Sequence, residues 1–151
     1  MSMLDELSKL YTETVHVTAA KLPKNWKTFW IRGEFKSSTY YYVAYYEISN
    51  GELVGFSLPD EGGTLIREAW KVSQSFNDRW TTLEITVRAP GELSVKFGHE
   101  DLDDESIDAH DRTLLFEAKT FGERKITSEP WTGGFSLTPD MLKSGLFQPN
   151  Q

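Results

Sequence analysis

The chain has 151 residues, a length typical of one folded domain. Its 38% hydrophobic and 13% aromatic residues indicate a globular protein, and the lack of cysteine excludes disulfides, thiolate nucleophiles and cysteine-ligated metal centres. The formal net charge of −7 disfavours a general nucleic-acid binder, because phosphate contacts require a basic surface.

The sequence also bears on targeting. Residues 1–6 have neither the basic region nor the continuous apolar region of a signal peptide. No run approaches the roughly 18 consecutive apolar residues that span a bilayer. We therefore expect a cytoplasmic protein that does not bind a membrane.

The first part of the chain reads as a helix followed by two strands. Apolar residues at helical spacing predict a helix over about 3–20, with Ser2 as its N-cap. Alternating apolar and polar residues then predict strands over 29–35 and 40–48, joined by a turn at Ser37-Ser38.

A hairpin and a second helix are expected next. Asn50-Gly51 predicts a type I′ turn into a third strand over about 52–58, because both central positions of that turn require a positive φ. Thr64 is the expected N-cap of a helix that ends near Asp78.

A second hairpin and a third helix follow. Alternation predicts strands over about 82–88 and 93–97, joined by Ala89-Pro90-Gly91. Ser106 is the expected cap of the third helix, and Gly122 is expected to end it. The predicted apolar stripe of this helix consists of Leu114, Leu115, Ala118 and Phe121.

The order α-β-β-β-α-β-β-α predicts an α+β fold, with an antiparallel sheet of about five strands and helices mostly on one face. We expect a single domain over residues 1–122. Residues 123–151, rich in proline and glycine, predict an irregular C-terminal extension packed on that domain, with one helical turn near 139–143.

The sequence offers little for catalysis or metal binding. The three histidines, His16, His99 and His110, belong to no known motif, and no phosphate-binding loop or nucleophile motif is present. The acidic residues of 101–105 begin like a calcium loop, but Ser106 replaces the required glycine. We expect no catalytic residue, no cofactor and no bound metal.

Two features indicate a binding protein. Residues 100–111 contain seven acidic and no basic residues, whereas the rest of the chain carries 16 of each, so this segment carries the whole net charge. Five tyrosines between residues 40 and 46 must place aromatic rings on both faces of one strand. Two interpretations of the second face stay open: exposed tyrosines beside Trp30 form a binding patch, or a helix or the tail covers them.

These features predict a partner-binding surface, because a concentrated charge attracts a basic partner and exposed aromatic residues contribute binding energy. The predicted partner-binding residues are Trp30, Tyr41, Tyr45, Glu100, Asp101, Asp103, Asp104, Glu105 and Asp108.

Over about residues 3–121 the sequence resembles the YezG-like family of bacterial immunity proteins. The similar stretches are WKTFWIRGE at 26–34, WTTLEI at 80–85, FGHED at 97–101, and Arg112 four residues before Phe116. The resemblance implies a protein without enzymatic activity that binds one cognate secreted toxin, a nuclease. From its charge, we expect the acidic segment to mimic the phosphates that a basic nuclease cleft binds.

Two alternatives stay open at this point. The same surfaces would suit a general protein-interaction module, such as a secretion chaperone. A small-ligand binder or enzyme built in the concave face of the sheet is the third reading. The sequence does not predict the oligomeric state.

Overall fold

The structure is a computed structural model that describes residues 2–36, 39–104 and 106–129. Within these residues three helices and six strands follow one another along the chain. They are α1 (Met3–Ala19), β1 (Trp26–Phe35), β2 (Tyr40–Ile48), β3 (Leu53–Phe56), α2 (Asp60–Ser75), β4 (Thr82–Arg88), β5 (Glu92–Gly98), α3 (Ala109–Phe121) and β6 (Ile126–Ser128). None of the described helices has the length and apolar character needed to cross a membrane.

The strands form one sheet in the order β5-β4-β1-β2-β3-β6. Every neighbouring pair is antiparallel except β3 and β6, which run parallel. The α+β class and the order of the predicted elements are therefore confirmed. The sheet has one strand more than the five expected from the sequence.

The additional strand, β6, lies in the stretch that was expected to be irregular. It pairs with β3, and the backbone N–H of Glu129 donates to the Gly55 carbonyl at 2.8 Å. The Tyr46 hydroxyl donates to the Glu129 carboxylate at 2.7 Å. A strand of three residues is too short to show the alternation that identifies strands in a sequence.

Some of the predictions fall on residues that the structure does not describe. The turn at Ser37-Ser38 and the helical turn near 139–143 lie outside the described residues. The division into a domain over 1–122 and an extension over 123–151 stays a prediction.

Helices cover both faces of the sheet. α1 and α2 pack on one face, where the main core contains Phe29, Ile31, Phe35, Trp80 and Ile85 among others. α3 packs on the other face, where a smaller core is formed by Tyr45, Leu53, Phe116 and Phe121. Each fully buried large side chain contributes about 1.5–3 kcal/mol relative to an exposed one.

α2 begins at Asp60, four residues before the predicted cap Thr64, and includes two consecutive glycines. A Cβ atom on Gly62 would lie 3.3 Å from Thr18 Oγ1, and one on Gly63 would lie 3.1 Å from Tyr42 Cε2. Close packing against α1 and β2 therefore accounts for residues that disfavour helices by about 1 kcal/mol each.

The hairpin between β2 and β3 differs from the predicted type I′ turn. Gly51 has a φ of +88°, whereas Asn50 is not among the residues with positive φ. The Gly51 N–H donates to the Ile48 carbonyl at 2.9 Å, and Asn50 Oδ1 accepts from the Glu52 N–H at 2.8 Å. These contacts make a three-residue loop with glycine in the left-handed position, which needs positive φ at one residue only.

α3 differs from the prediction in its start and in its buried face. Asp108, not Ser106, is the N-cap. Leu114 and Leu115 of the predicted apolar stripe are 49% and 61% exposed. The side chains that α3 buries are instead Thr113, Phe116 and Phe121.

Candidate functional site: the acidic segment and the buried ion network

The acidic segment, residues 100–111, forms the loop between β5 and α3 and the first turn of α3. Thr81 Oγ1 donates to the Glu100 carbonyl at 2.7 Å, next to the start of β4. Lys36 Nζ lies 2.8 Å from Asp103 Oδ1, just beyond the end of β1. The segment is thus attached at one end of the sheet.

Hydrogen bonds from its own carboxylates shape the loop. Asp101 Oδ1 accepts from the backbone N–H of Asp103 at 2.9 Å. Asp104 Oδ1 accepts from the backbone N–H and the hydroxyl of Ser106, at 3.0 and 2.7 Å. Glu105, a predicted partner-binding residue, lies outside the described residues. Local side-chain bonds of this kind fix turns without removing the negative charge.

The end of the loop is fixed by a capping box. Asp108 Oδ1 accepts from the Asp111 N–H at 2.8 Å, and Asp111 Oδ2 accepts from the Asp108 N–H at 3.4 Å. The Asp111 N–H holds the pKa of Asp108 below its usual value. Likewise, the hydroxyl and N–H of Ser106 lower the pKa of Asp104. Both side chains are therefore ionised at neutral pH.

A buried ion network lies where the loop, α3 and the sheet meet. Arg112 contacts both carboxylate oxygens of Glu34, with Nε at 2.7 Å and Nη2 at 2.9 Å. Arg32 Nη1 donates to Glu34 at 2.6 Å, and Arg112 Nη1 donates to the Ile107 carbonyl at 2.6 Å. Arg32 Nη2 lies 3.7 Å from Oε2 of Glu100, whose side chain is half-exposed. The network ties the acidic segment to β1.

Burial and the neighbouring positive charges shift the pKa of Glu34 in opposite directions. The residue is only 4% exposed. Burial by itself would raise the pKa of Glu34, but the hydrogen bonds from Arg112 and Arg32 outweigh it and the pKa is lowered. The same contact with Glu34 raises the pKa of Arg112. At neutral pH, Glu34 is therefore an ionised carboxylate between two guanidinium groups.

The structure decides between the two interpretations of the aromatic strand. α3 covers the second face of β2, so that Tyr45 is 3% exposed and its hydroxyl donates to Glu117 at 2.6 Å. The Trp30 ring packs edge-on against Phe121, with the ring centroids 4.8 Å apart. The expectation of an exposed patch is therefore wrong for Tyr45, because a helix covers it, and Trp30 is partly buried against the same cluster.

Tyr41 is the exception: it stays 39% exposed, although the Thr113 hydroxyl of α3 donates to its hydroxyl at 3.4 Å. It borders a groove of about 480 Å³, which we call the acidic groove. The groove lies between the start of β2, the acidic segment and the start of α3. Its lining includes Tyr40, Tyr41, Leu102, Asp104, Ile107 and Arg112.

The predicted site residues are thus brought together only in part. Asp103, Asp104 and Asp108 line the acidic groove with Tyr41. Asp101 shapes the loop without lining the groove, and Glu100 lies beside Arg32. Within the described residues, no group of three or more histidine, aspartate and glutamate side chains is arranged to hold a metal ion.

Sequence reasoning missed the buried ion network. Arg32 and Glu34 belong to the WKTFWIRGE stretch, but strand alternation placed them on the polar face of β1. Their partner, Arg112, lies 78 residues beyond Glu34. The one available signal is that two opposite charges two residues apart on a strand lie on the same face.

Comparisons with known proteins concern the part of the chain that contains the acidic segment and α3. A search of the curated proteins finds no match. A family model described as "Immunity protein YezG-like" matches residues 63–130, from the first turn of α2 to the end of β6 and just beyond. The matched part contains the acidic segment and Arg112, and it confirms the resemblance to the YezG-like immunity proteins over these residues. The similar stretch at 26–34 lies outside the match.

Proposed function

We propose that the chain is an immunity protein that neutralises a cognate secreted toxin, a basic nuclease, in the cytoplasm of the cell that makes the toxin. The match to the YezG-like family model supports the immunity function. It also favours action by binding rather than by catalysis. The nuclease nature of the toxin is our inference from the charge of the chain.

One observation supports the acidic segment as the binding surface. The carboxylates of Asp101, Asp104 and Asp108 accept hydrogen bonds that set the loop conformation, yet their side chains stay at the surface. A preformed surface of fixed negative charges loses little conformational entropy on binding and attracts a basic partner at a distance. Such a surface fits the phosphate-binding cleft of a nuclease.

The proposed partner-binding residues follow from exposure. Among the described residues they are Tyr41, Glu100, Asp101, Asp103, Asp104 and Asp108. Glu105 lies outside the described residues and is kept for its place in the sequence of the acidic segment alone. Tyr45 is left out because it belongs to the core beneath α3, and Trp30 because it packs, partly buried, against that core.

The proposal is tested by expressing the chain together with the protein encoded by the adjacent reading frame, which the proposal requires to contain a toxic domain. We expect the chain to restore growth, to copurify with the toxic domain, and to inhibit its cleavage of DNA or RNA in vitro. A catalytically inactive toxic domain serves as the control for growth.

Three outcomes would contradict the proposal. Growth that is not restored, or a complex that never forms, argues against immunity. A stable complex that cleaves nucleic acid at the rate of the free toxin would favour the secretion-chaperone reading instead.

A further inference from the structure

The acidic groove has the walls of a side-chain pocket. Its volume of about 480 Å³ exceeds what one amino-acid side chain needs. Tyr41 contributes an exposed ring, and Leu102, Ile107 and Ala109 contribute apolar atoms. A long side chain can therefore bury its aliphatic part here while its polar end stays near the rim.

The charges of the lining favour a cation. Four lining residues are acidic and two are basic. Glu34 is shared by Arg112 and Arg32, Arg32 also faces Glu100, and Lys36 pairs with Asp103. The acidic excess therefore rests on two of the carboxylates, those of Asp104 and Asp108.

Asp104 keeps one oxygen for a ligand. Both hydrogen bonds from Ser106 use Oδ1, and Oδ2 has no partner among the described residues. The loop thus holds Asp104 as a fixed acceptor in the lining of the groove to which Tyr41 also belongs.

The molecule already contains a guanidinium stacked on a neighbouring tyrosine. Arg67 Cζ lies 4.8 Å from the centre of the Tyr40 ring. A planar guanidinium can stack on an aromatic ring and donate to a carboxylate at the same time, which a lysine ammonium does less well. The Tyr41 ring and Asp104 offer that combination to a side chain from outside.

We infer that the acidic groove receives an arginine side chain of the partner toxin, with the guanidinium stacked on Tyr41 and donating to Asp104. This inference rests on the proposed function for the identity of the partner. The groove itself can be examined without the toxin.

The experiment titrates the full-length chain with N-acetyl-arginine N-methylamide and follows backbone amide shifts by NMR. We expect saturable shifts that centre on Tyr41, Asp104 and Ile107. N-acetyl-citrulline N-methylamide has nearly the same shape without the charge and should produce none. Equal binding of the two probes, or shifts spread evenly over the acidic segment, would overturn the inference.

Matched variants locate the binding. Asp104→Asn keeps an oxygen for Ser106 but removes the charge, and it should weaken binding of the arginine probe about threefold or more. Asp101→Asn makes the same change in the same loop outside the groove and should have little effect. Tyr41→Leu should weaken binding by a similar factor. If Asp101→Asn weakens binding as much as Asp104→Asn, general charge attraction explains the result and the inference fails.

The two proposals can fail separately. If the probe binds in the groove but the chain does not neutralise the toxin, the groove stands and the proposed function fails. If the chain neutralises the toxin and both Asp104→Asn and Tyr41→Leu do so at the parent's affinity, the groove inference fails.

Discussion

Among the described residues, Glu34 is the anion that both Arg32 and Arg112 contact. Replacing it by glutamine removes the carboxylate that the two guanidinium groups share and leaves only the half-exposed Glu100, 3.7 Å from Arg32, as a nearby counter-charge. Such a loss inside the protein is far more costly than the loss of an exposed ion pair. We predict that Glu34→Gln lowers the free energy of unfolding by about 3 kcal/mol or more, measured by urea denaturation.

Glu47 provides the control, because it is also on the sheet and pairs with an arginine, Arg124, at 2.6 Å. The Arg124 side chain is 40% exposed, so solvent screens this pair. Glu47→Gln should cost no more than about 1 kcal/mol. Equal losses for the two variants would show that the buried ion network contributes no more than a surface pair.

The same carboxylate gives a dependence on pH. The pKa of Glu34 is lowered from the usual 4.5, so its contribution to stability is complete above that value and is lost as the pH falls through the lowered pKa. Protonated Glu34 resembles glutamine. We therefore predict that the difference in unfolding free energy between the parent and Glu34→Gln narrows below about pH 4.5. A difference that stays constant from pH 7 to pH 3 would contradict this.

At the scale of single residues, the sequence predicted which side chains share a face better than it predicted what covers that face. Alternation correctly grouped Trp30, Arg32 and Glu34 on one side of β1. Their burial depends on α3, whose Arg112 and Phe121 lie far along the chain. A local pattern contains no information about such a contact.

At the scale of elements, α3 was predicted correctly as a helix, but the face that it buries against the sheet was predicted incorrectly. The apolar residues Leu114, Leu115 and Ala118 were expected to face the sheet, but all three are exposed. The sheet offers the rings of Tyr45 and Trp30 at this place, and Phe116 and Phe121 of α3 pack on them.

This orientation of α3 can be tested by truncating side chains. Leu114→Ala and Leu115→Ala should each change the free energy of unfolding by no more than about 0.5 kcal/mol, because both residues are at the surface. Phe116→Ala should cost about 3 kcal/mol or more, because it empties the core between α3 and the sheet. The reverse order of these effects, measured by urea denaturation, would show that the leucines face the sheet.

At the scale of the whole molecule, the fold class and the order of elements could be predicted because hairpins and helices are local. The strand 40–48 and the antiparallel pairing of its neighbours follow from alternation and turn residues. β6 could not be predicted, because a strand of three residues shows no pattern of its own and is identified only by its parallel pairing with β3. For the same reason, the acidic segment was predicted as a charged loop, whereas its groove depends on Tyr41 and Arg112 from other elements.

The distribution of charge leads to a prediction for the whole molecule. The net charge of −7 lies within residues 100–111, so the proposed partner, a basic toxin, should approach this end of the sheet first. We predict that association with the toxin slows as salt is added, with a smaller effect on dissociation, because salt screens exposed charges beyond about 8–10 Å. Stopped-flow measurements at several salt concentrations give both rates.

Two triple variants with the same change of net charge decide whether the acidic segment is responsible. Asp101→Asn, Asp103→Asn and Asp104→Asn together keep the oxygens that shape the loop and should flatten the salt dependence of association. Glu13→Gln, Glu61→Gln and Glu68→Gln together change exposed residues of α1 and α2 and should leave most of the salt dependence of association intact. If both triple variants flatten the salt dependence equally, the toxin responds to the net charge of the chain, and the acidic segment has no special part in the encounter.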